Sequence, residues 1–406
     1  MRCRSCRAVL GEPVLDLGLT PIANAYPRLD DPSTEQLHPL RLHVCPACFL
    51  VQIEAVVTRE THFNADYAYR SGASSSWRAH VEAYARRMID ELALGPGSTV
   101  VEVGSNDGAL ASAFVAAGVR TLGVDPAAKA AGAAGAKGVE TVIGFFGAQL
   151  ARELEARGVA ADVMCANNVL AHVPDLDDFV EGFAQLLKPK GVATFEFPLV
   201  MDLLAGGSYD TIYHEHYSYL SLTALEPLFA RHGLVVADVE RLPTHGGSAR
   251  LFVRHCSAAG RGTRVETLAQ EERRAGLSDL AVYRAFAAKV AARREALRAF
   301  IRDLKKDGQR IAAYGAPAKA TTLLAYCGIG RESIDYAVDR AETKQGRRIP
   351  GVGIEISPPQ RLWDETPDVV LILAWNLWRE IAADLTPLVE RGVRLAVPMP
   401  EPALLP

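Results

Sequence analysis

Four of the seven cysteines form two closely spaced pairs near the start of the chain. Cys3 and Cys6 are separated by two residues, and so are Cys45 and Cys48. Together the two pairs supply four thiolates, a ligand set that Zn²⁺ binds tetrahedrally. Four thiolates leave no open coordination position, so the pattern predicts a zinc ion that stabilises a small module. Free or redox-active cysteines are the alternative.

A glycine-rich turn after an apolar run predicts a ligand site. Residues 100–108 read Val-Val-Glu-Val-Gly-Ser-Asn-Asp-Gly, with Glu102 in a predicted strand and Gly104 in the turn. A second acidic residue, Asp125, ends the next predicted strand, where a carboxylate can accept hydrogen bonds from ribose hydroxyls. The spacing matches neither the dinucleotide fingerprint nor the phosphate-binding loop. An unusual NAD site and a purely structural turn are the alternatives.

A dense polar cluster follows the fifth predicted strand. Residues 213–219 read Tyr-His-Glu-His-Tyr-Ser-Tyr. Histidine titrates near neutrality and is suited to proton abstraction. The spacing is not that of the zinc-protease motif His-Glu-x-x-His. A solvated loop or packed core histidines would explain the composition equally, but the position near the sheet edge favours chemistry.

Two further segments offer candidate side chains. Asn167, Asn168 and His172 follow the fourth predicted strand, and Asp175 is placed to cap the next helix. A strand is predicted over 311–314, a turn over 315–317 and a helix from Lys319. In the first turn of that helix, the Lys319 ammonium could bind a phosphate. A lysine that only faces solvent explains Lys319 equally well.

The predicted elements place these side chains at the edges of two sheets. Strands and helices alternate over residues 98–200 and again after Gly308, and such alternation indicates parallel sheets with helices on both faces. An amphipathic helix is predicted over 74–93 and a strand over 141–146. The helix that Asp175 caps is predicted to stop at 188–191, before a strand over 192–197. A hairpin is predicted over 234–255, and one long or two shorter helices over 262–306. We therefore predict three domains, at residues 1–70, 71–260 and 261–406.

Composition narrows the function classes. The chain has 406 residues, 49% of them hydrophobic, and a net charge of −4, which is typical of a folded globular protein. This charge gives no electrostatic footprint for nucleic acid or an anionic membrane. Neither a membrane-spanning apolar run nor a signal peptide is recognisable. We expect a monomer in the reducing cytoplasm.

As a whole, the chain resembles the nucleotide-sugar C-methyltransferases, which use S-adenosylmethionine (SAM) to methylate TDP-linked 4-keto deoxyhexoses. The resemblance is carried by the four-cysteine module and by six further segments, at residues 17–25, 102–108, 167–175, 213–217, 245–250 and 315–324. It implies an α/β fold: a class I SAM-methyltransferase (Rossmann-like) domain, flanked by the N-terminal zinc-binding module and a C-terminal second Rossmann-like domain.

The resemblance also implies a mechanism and its residues. The 4-keto group acidifies a neighbouring C–H bond, and His216 is implied as the base that forms the enolate. Tyr213 and Glu215 are implied to orient the sugar or stabilise the enolate, and His172 to assist at the keto oxygen. Methylation at C3 is implied, with methylation at C5 as the nearest alternative.

Ligand contacts carry over in the same way. SAM contacts are implied for Glu102, Gly104, Asn106, Asp125, Phe146 and Asn167. Substrate contacts are implied for Asn168, Tyr67 and Lys319. The chain departs from the family at Ala320, where relatives commonly have glycine, and this puts the tight backbone approach at that turn in doubt. Two other classes stay open: an O- or N-methyltransferase, and a non-enzymatic zinc and nucleotide-binding protein.

Overall fold

The computed structural model describes residues 1–31, 35–63 and 71–406. Their contacts divide the chain into two compact units, each assembled from three segments. The first unit comprises Met1–Gly11, Cys45–Met201 and Tyr217–Ser278, and the second comprises Glu12–Val44, Asp202–His216 and Asp279–Pro406. The boundary between the last two segments before residue 278 lies between His216, which belongs to the second unit, and Tyr217, which belongs to the first. The division into three domains, at residues 1–70, 71–260 and 261–406, remains a prediction.

The strands and helices follow one another along the whole described chain. The strands are β1 (Leu15–Thr20), β2 (His38–Val44), β3 (Val51–Ile53), β4 (Thr99–Val103), β5 (Arg120–Asp125), β6 (Glu140–Ile143), β7 (Ala161–Asn167), β8 (Leu187–Pro198), β9 (Ser218–Tyr219), β10 (Leu234–Leu242), β11 (Ser248–His255), β12 (Ile311–Tyr314), β13 (Tyr336–Val338), β14 (Arg347–Arg348), β15 (Glu355–Ser357), β16 (Val369–Ile372), β17 (Arg394–Val397) and β18 (Ala403–Leu404). The helices are α1 (Arg59–His62), α2 (Ser75–Leu92), α3 (Ala111–Ala116), α4 (Ala128–Gly135), α5 (Ala148–Ala156), α6 (Leu176–Leu186), α7 (Val200–Gly206), α8 (Leu222–Arg231), α9 (Thr263–Arg274), α10 (Leu280–Lys306), α11 (Ala318–Cys327), α12 (Arg361–Asp364), α13 (Trp378–Asp384) and α14 (Thr386–Val389).

The first unit is built on a seven-stranded sheet in the order β10-β11-β8-β7-β4-β5-β6. Strands β4 to β8 run parallel, and the hairpin of β10 and β11 adds to β8 in the antiparallel direction. The strand order reverses at β4, which pairs with β5 on one side and β7 on the other. In open α/β sheets, ligands bind beyond the carboxyl ends of the strands at such a reversal. The predicted α/β fold is confirmed.

Local sequence signals account for these elements. Every residue of β4 is buried, as expected for a central strand covered on both faces. Helix α2 begins where the Ser74 hydroxyl accepts a hydrogen bond from the Trp77 backbone N–H at 3.2 Å. Its buried face carries Val81, Tyr84 and Met88, which confirms the predicted amphipathic helix.

The second unit contains its own seven-stranded sheet, in the order β14-β15-β13-β12-β16-β17-β18. Here the order reverses at β12, which runs parallel to both β13 and β16. Strands β1 and β2 pair in the antiparallel direction. The helical stretch left open in the sequence consists of two helices, α9 in the first unit and α10 in the second.

Some element boundaries differ from the predictions. A strand was expected over residues 141–146, but β6 ends at Ile143, because the Gly144 N–H turns to the Asp125 carbonyl at 3.1 Å. A strand was expected over residues 192–197, after a helix stop at 188–191, but β8 begins at Leu187, directly after α6, and includes residues 188–191. Within the described ranges, no helix is long and apolar enough to cross a membrane.

Candidate active site and zinc centre

The four paired cysteines converge in the first unit. Their Sγ atoms all lie within 4.8 Å of one another. The Sγ–Sγ distance is 3.6 Å between Cys3 and Cys48, and 3.4 Å between Cys6 and Cys45. A tetrahedral Zn²⁺ with Zn–S bonds of about 2.3 Å places its sulfurs about 3.8 Å apart. The cluster therefore fits a four-thiolate zinc ion.

Two copies of the same backbone turn present these thiolates. The N–H of Arg7 donates to the Cys3 carbonyl at 3.1 Å, and the N–H of Phe49 donates to the Cys45 carbonyl at 3.0 Å. Both turn residues adopt a left-handed conformation, with φ of 61° at Arg7 and 57° at Phe49. The Gln52 amide also donates to the Cys3 sulfur at 3.3 Å. The pairs are thus held ready for one metal ion.

The turn after β4 is shaped by the two predicted acids. Both oxygens of Asp125 accept backbone hydrogen bonds at 2.8 Å, one from Asn106 and one from Ala127. The Glu102 carboxylate accepts from the Ala111 N–H at 2.8 Å, at the start of α3. Burial raises the pKa of the Glu102 carboxyl. Both acids thus help to fix the backbone at the carboxyl ends of β4 and β5.

Gly104 leaves no room for a side chain at this turn. Its φ is 71°, and a Cβ atom there would lie 2.5 Å from the Val169 side chain. Asn106 also adopts a left-handed φ, of 47°. The turn at the carboxyl end of β4 therefore requires glycine, both for the left-handed φ and for the close packing of Val169 against the backbone.

The end of β7 lies next to the end of β4, because the two strands pair in the sheet. Both polar atoms of the Asn167 side chain are buried, and neither has a hydrogen-bond partner among the described residues. A buried amide of this kind needs a partner, because leaving it unsatisfied costs about 1–3 kcal/mol. Its position at the strand reversal fits a bound cofactor. Asn168 follows with a left-handed φ of 56°.

The other predicted residues of the first unit lie in different surroundings. The buried Phe146 ring packs edge-on against Phe179 and Phe183, so its visible role is core packing. His172 ends a short 3-10 turn and stacks edge-on against Phe63, with ring centroids 5.4 Å apart. Tyr67 lies outside the described residues.

A charged network at the carboxyl end of β8 was not predicted. The buried Glu196 carboxylate contacts His80 at 2.9 Å, the Thr244 hydroxyl at 3.2 Å and the Arg250 guanidinium. Burial alone would raise the pKa of Glu196, but the His80 hydrogen bond and the Arg250 charge lower it. The only sequence signal was Arg250, at the end of the segment Thr-His-Gly-Gly-Ser-Ala-Arg.

In the second unit, Tyr213 and His216 form a stacked, hydrogen-bonded pair. The Tyr213 hydroxyl lies 3.0 Å from His216 Nε2, and the ring centroids are 4.1 Å apart. His216 Nδ1 lies 3.1 Å from the Thr211 carbonyl, which can only accept a hydrogen bond. Nδ1 therefore carries the proton, and in the neutral ring Nε2 carries the lone pair. This is the arrangement of an oriented general base.

Glu215 is a buried carboxyl beside this pair in the sequence. One of its oxygens accepts a hydrogen bond from the Asn24 amide at 2.8 Å. Burial raises the pKa of Glu215 to about 7, and the Asn24 hydrogen bond opposes this only partly. Glu215 can thus hold or release a proton near neutral pH. Asn24 lies in the resembling segment 17–25, but nothing in the sequence paired it with Glu215.

Lys319 lies at the strand reversal of the second sheet. Its ammonium group sits 4.3 Å from the centre of the Trp375 ring and donates to Asn376. The Trp375 indole N–H donates to Asp210 at 2.6 Å, and the Asp210 carboxyl is fully buried. Burial lowers the pKa of Lys319, and the Asp210 charge opposes this. Lys319 is therefore held in a polar cluster, and Asp210 is a member that the sequence did not reveal.

Comparisons with known proteins agree with this architecture. Three family models match the chain: a zinc binding domain over residues 3–63, a methyltransferase domain over 77–239, and a C-methyltransferase C-terminal domain over 243–400. C-methyltransferase NovU from Streptomyces niveus is 37% identical over 99% of this chain and 96% of its own length.

Other matches cover less. Ubiquinone biosynthesis O-methyltransferase from Burkholderia thailandensis is 34% identical over 26% of this chain and 47% of its own length. A magnesium protoporphyrin IX methyltransferase structure from Synechocystis PCC 6803 with bound SAM covers 50% of this chain and 99% of its own, at 17% identity and a TM-score of 0.37. That score is too low to support an argument. The NovU match and the three domain models decide the assignment: the chain belongs to the C-methyltransferase family, as an enzyme with a SAM-binding methyltransferase domain and a zinc-binding domain.

Proposed function

We propose that this enzyme methylates a carbon next to the ketone of a TDP-linked 4-keto deoxyhexose, at C3, in the biosynthesis of branched deoxysugars for antibiotics. The observation that carries the proposal is the His216 imidazole, fixed in the tautomer with its lone pair on Nε2. A C-methyltransferase needs a base for a C–H bond, and an oriented neutral histidine is suited to that task near pH 7.

The reaction begins with proton transfer from carbon. His216 Nε2 takes the proton, and the electron pair of the C–H bond delocalises onto the ketone oxygen as an enolate. Nε2 has one lone pair, so the Tyr213 hydroxyl must turn away from it before the proton moves. The hydroxyl can then donate to the enolate oxygen as charge develops there. A donor that gains strength as charge develops stabilises the transition state more than the substrate. His172 is proposed as a second donor at this oxygen.

The cofactor contacts are proposed for the residues at the ends of β4, β5 and β7. Glu102, Gly104, Asn106, Asp125 and Asn167 would hold SAM, which when bound supplies an electrophilic methyl group to the enolate carbon. Gly104 keeps the turn after β4 in its left-handed conformation, and the Asn167 amide gains the hydrogen-bond partner that it lacks among the described residues. Phe146 would contribute through the core beneath this edge.

Substrate binding is proposed for the remaining candidates. Glu215 and Asn168 would orient the sugar, together with Tyr67. Lys319 would bind a phosphate of the nucleotide, since its ammonium lies at a strand reversal, where ligands of α/β sheets bind.

The position of the new methyl group tests the proposal. The enzyme is incubated with methyl-¹³C SAM and a TDP-linked 4-keto-6-deoxyhexose, and the product is analysed by carbon–proton correlation NMR. We expect the label on C3, with loss of the C3–H signal. A label on C5 would overturn the regiochemistry and keep the mechanism, because the same ketone acidifies both carbons. A label on oxygen or nitrogen would overturn the mechanism itself.

A further inference from the structure

The buried Arg4 side chain links the first cysteine pair to two backbone carbonyls that are distant in the sequence. Arg4 lies between two zinc ligands in the sequence, and only 6% of its surface is exposed. Its guanidinium donates to the Ile53 carbonyl at 2.7 Å and to the Tyr217 carbonyl at 3.2 Å. The guanidinium carbon also sits 5.3 Å from the centre of the Tyr217 ring. Arg4 therefore joins β3 to the residue that precedes β9.

Gln52 completes the connection to the metal ligands. Its side-chain amide donates to the Cys3 sulfur at 3.3 Å, and its side-chain oxygen accepts from the Arg4 backbone N–H at 3.0 Å. Gln52 is completely buried in β3, the strand that follows the second cysteine pair. Hydrogen-bonding partners of metal ligands orient those ligands, and their loss typically weakens metal sites or activity. Here the same partner also orients Arg4.

The far end of this connection is Tyr217, the residue that follows His216. Its carbonyl accepts a second hydrogen bond from the Ile53 N–H at 3.1 Å, and its hydroxyl donates to the Val57 carbonyl at 2.9 Å. Strand β9 begins at the next residue and pairs antiparallel with β3, so that Gln52 faces Ser218. The backbone on the carboxyl side of His216 is therefore fixed from the zinc-binding part of the chain.

We propose that Arg4 is a positioning residue for the reaction: it transmits the rigidity of the zinc centre to the backbone that carries His216. The inference rests on the proposed role of His216 as the base. A buried guanidinium is costly unless it is fully hydrogen-bonded, and an apolar side chain would fill the same space more cheaply. Arg4 uses its donors on two backbone carbonyls, which an apolar residue cannot hold in place.

The test compares Arg4→Met with Arg7→Met. Arg7 lies on the same cysteine turn, but its side chain is exposed and pairs with Asp175 on the surface. For each protein we would measure bound zinc, SAM affinity by calorimetry, KM and kcat, and deuterium exchange into a TDP-linked 4-keto-6-deoxyhexose in D₂O with S-adenosylhomocysteine. The exchange assay reports proton abstraction without methyl transfer.

We expect Arg4→Met to lower kcat and the exchange rate about tenfold or more, since a misplacement of about 1 Å can cost about 100-fold. Zinc content, SAM affinity and KM should stay within about twofold of wild type, a range below 0.5 kcal/mol. Arg4→Lys, which keeps one donor group near the carbonyls, should recover part of the rate. Exchange and kcat in Arg4→Met equal to those of Arg7→Met would overturn the proposal.

A second variant covers the case in which Arg4→Met does not fold. Gln52→Met keeps the Arg4 side chain and its two carbonyl acceptors, but it removes the Gln52 hydrogen bonds to Arg4 and to the Cys3 sulfur. It should therefore lower the exchange rate in the same direction. An unchanged exchange rate in Gln52→Met would then count against the proposal. Failure of the proposed function looks different: His216→Asn would exchange deuterium at the wild-type rate.

Discussion

The nitrogen of His216 that can accept a proton is decided by a main-chain carbonyl. The Thr211 carbonyl can only accept a hydrogen bond, so the proton of the neutral imidazole stays on Nδ1 and the lone pair on Nε2. The Tyr213 hydroxyl then serves as donor to Nε2. No sequence motif predicts this tautomer, because the spacing of the residues gives their proximity but not their orientation.

Residue-scale chemistry also predicts a pH-dependent stability at Glu215. Its pKa is raised from 4.5 to about 7 by burial, so the folded state holds a proton that the unfolded state has released. The contribution is fully present below about pH 4.5 and is lost as the pH rises through about 7. Raising the pKa from 4.5 to about 7 corresponds to roughly 3 kcal/mol of stability.

Glu215→Gln should therefore flatten the pH dependence of the unfolding free energy between pH 4.5 and 7. The glutamine stays neutral and still accepts the Asn24 hydrogen bond. Urea titrations at several pH values measure this, with the exposed Glu401→Gln as control. A variant whose stability falls with pH as steeply as wild type would show that Glu215 is not the group responsible.

At the scale of elements, two glycines in turns of the first unit allow the effect of backbone strain to be measured apart from that of side-chain crowding. Gly104 and Gly118 both have left-handed φ values, of 71° and 76°. A Cβ atom at Gly104 would meet Val169 at 2.5 Å, whereas one at Gly118 would have no neighbouring side chain or distant backbone of the described residues within 4 Å. The two alanine variants thus share the strain, and only one is crowded.

Gly104→Ala should weaken SAM binding about tenfold or more, equivalent to about 1.4 kcal/mol, and Gly118→Ala should leave it unchanged. Both variants should lose about 1–2 kcal/mol of stability to the left-handed backbone. Calorimetric titration with SAM and thermal unfolding give the two quantities. Equal SAM affinities in the two variants would remove Gly104 from the binding site.

Much of the element pattern was predictable, because it depends on local signals. The apolar run before Gly104 is β4, Asp175 caps α6 through the Asp178 N–H at 3.3 Å, and the hairpin of β10 and β11 forms where two apolar runs flank a Gly-Gly pair. The boundaries of β6 and β8 were wrong, because sheet pairing and a backbone turn overrode local composition.

The missing members of the candidate site have partners far away in the sequence. Glu196 meets His80 across 116 positions, and Asp210 meets Trp375 across 165. Such pairs come into contact only in the folded protein, and no periodicity or motif in the sequence predicts them. The cysteine cluster was predictable for the opposite reason, since two short pairs carry the whole ligand set.

At the scale of the molecule, the two units repeat one construction. In each, an aspartate at the end of a strand accepts a backbone hydrogen bond from the neighbouring turn: Asp125 from Asn106 at 2.8 Å, and Asp339 from Ala316 at 2.7 Å. Each also accepts from the N–H two residues further along, at 2.8 Å. The second α/β alternation in the sequence therefore produces the same turn geometry, although the two motifs share no fingerprint.

Zinc removal should destabilise the whole molecule. The two cysteine pairs belong to the first unit, while the segment between them, Glu12–Val44, belongs to the second. The metal therefore closes a loop that passes through both units, and structural zinc sites supply folding free energy directly. We expect Cys6→Ser to lose zinc and to lower the unfolding temperature by about 5 °C or more.

The matched control is Cys256→Ser, which changes an exposed cysteine outside the cluster. Its zinc content and unfolding temperature should equal those of wild type, measured by atomic absorption and calorimetry. A Cys6→Ser protein as stable as this control would show that the metal contributes little to the fold.

Proton abstraction from carbon by His216 is the central step of the proposed reaction. The decisive measurement is deuterium incorporation into a TDP-linked 4-keto-6-deoxyhexose in D₂O, with S-adenosylhomocysteine present and wild type compared with His216→Asn. We predict exchange at the carbon next to the ketone in wild type, and a loss of about 100-fold or more in the variant, which should still bind SAM. Exchange at equal rates in the two proteins would contradict the assignment of the base.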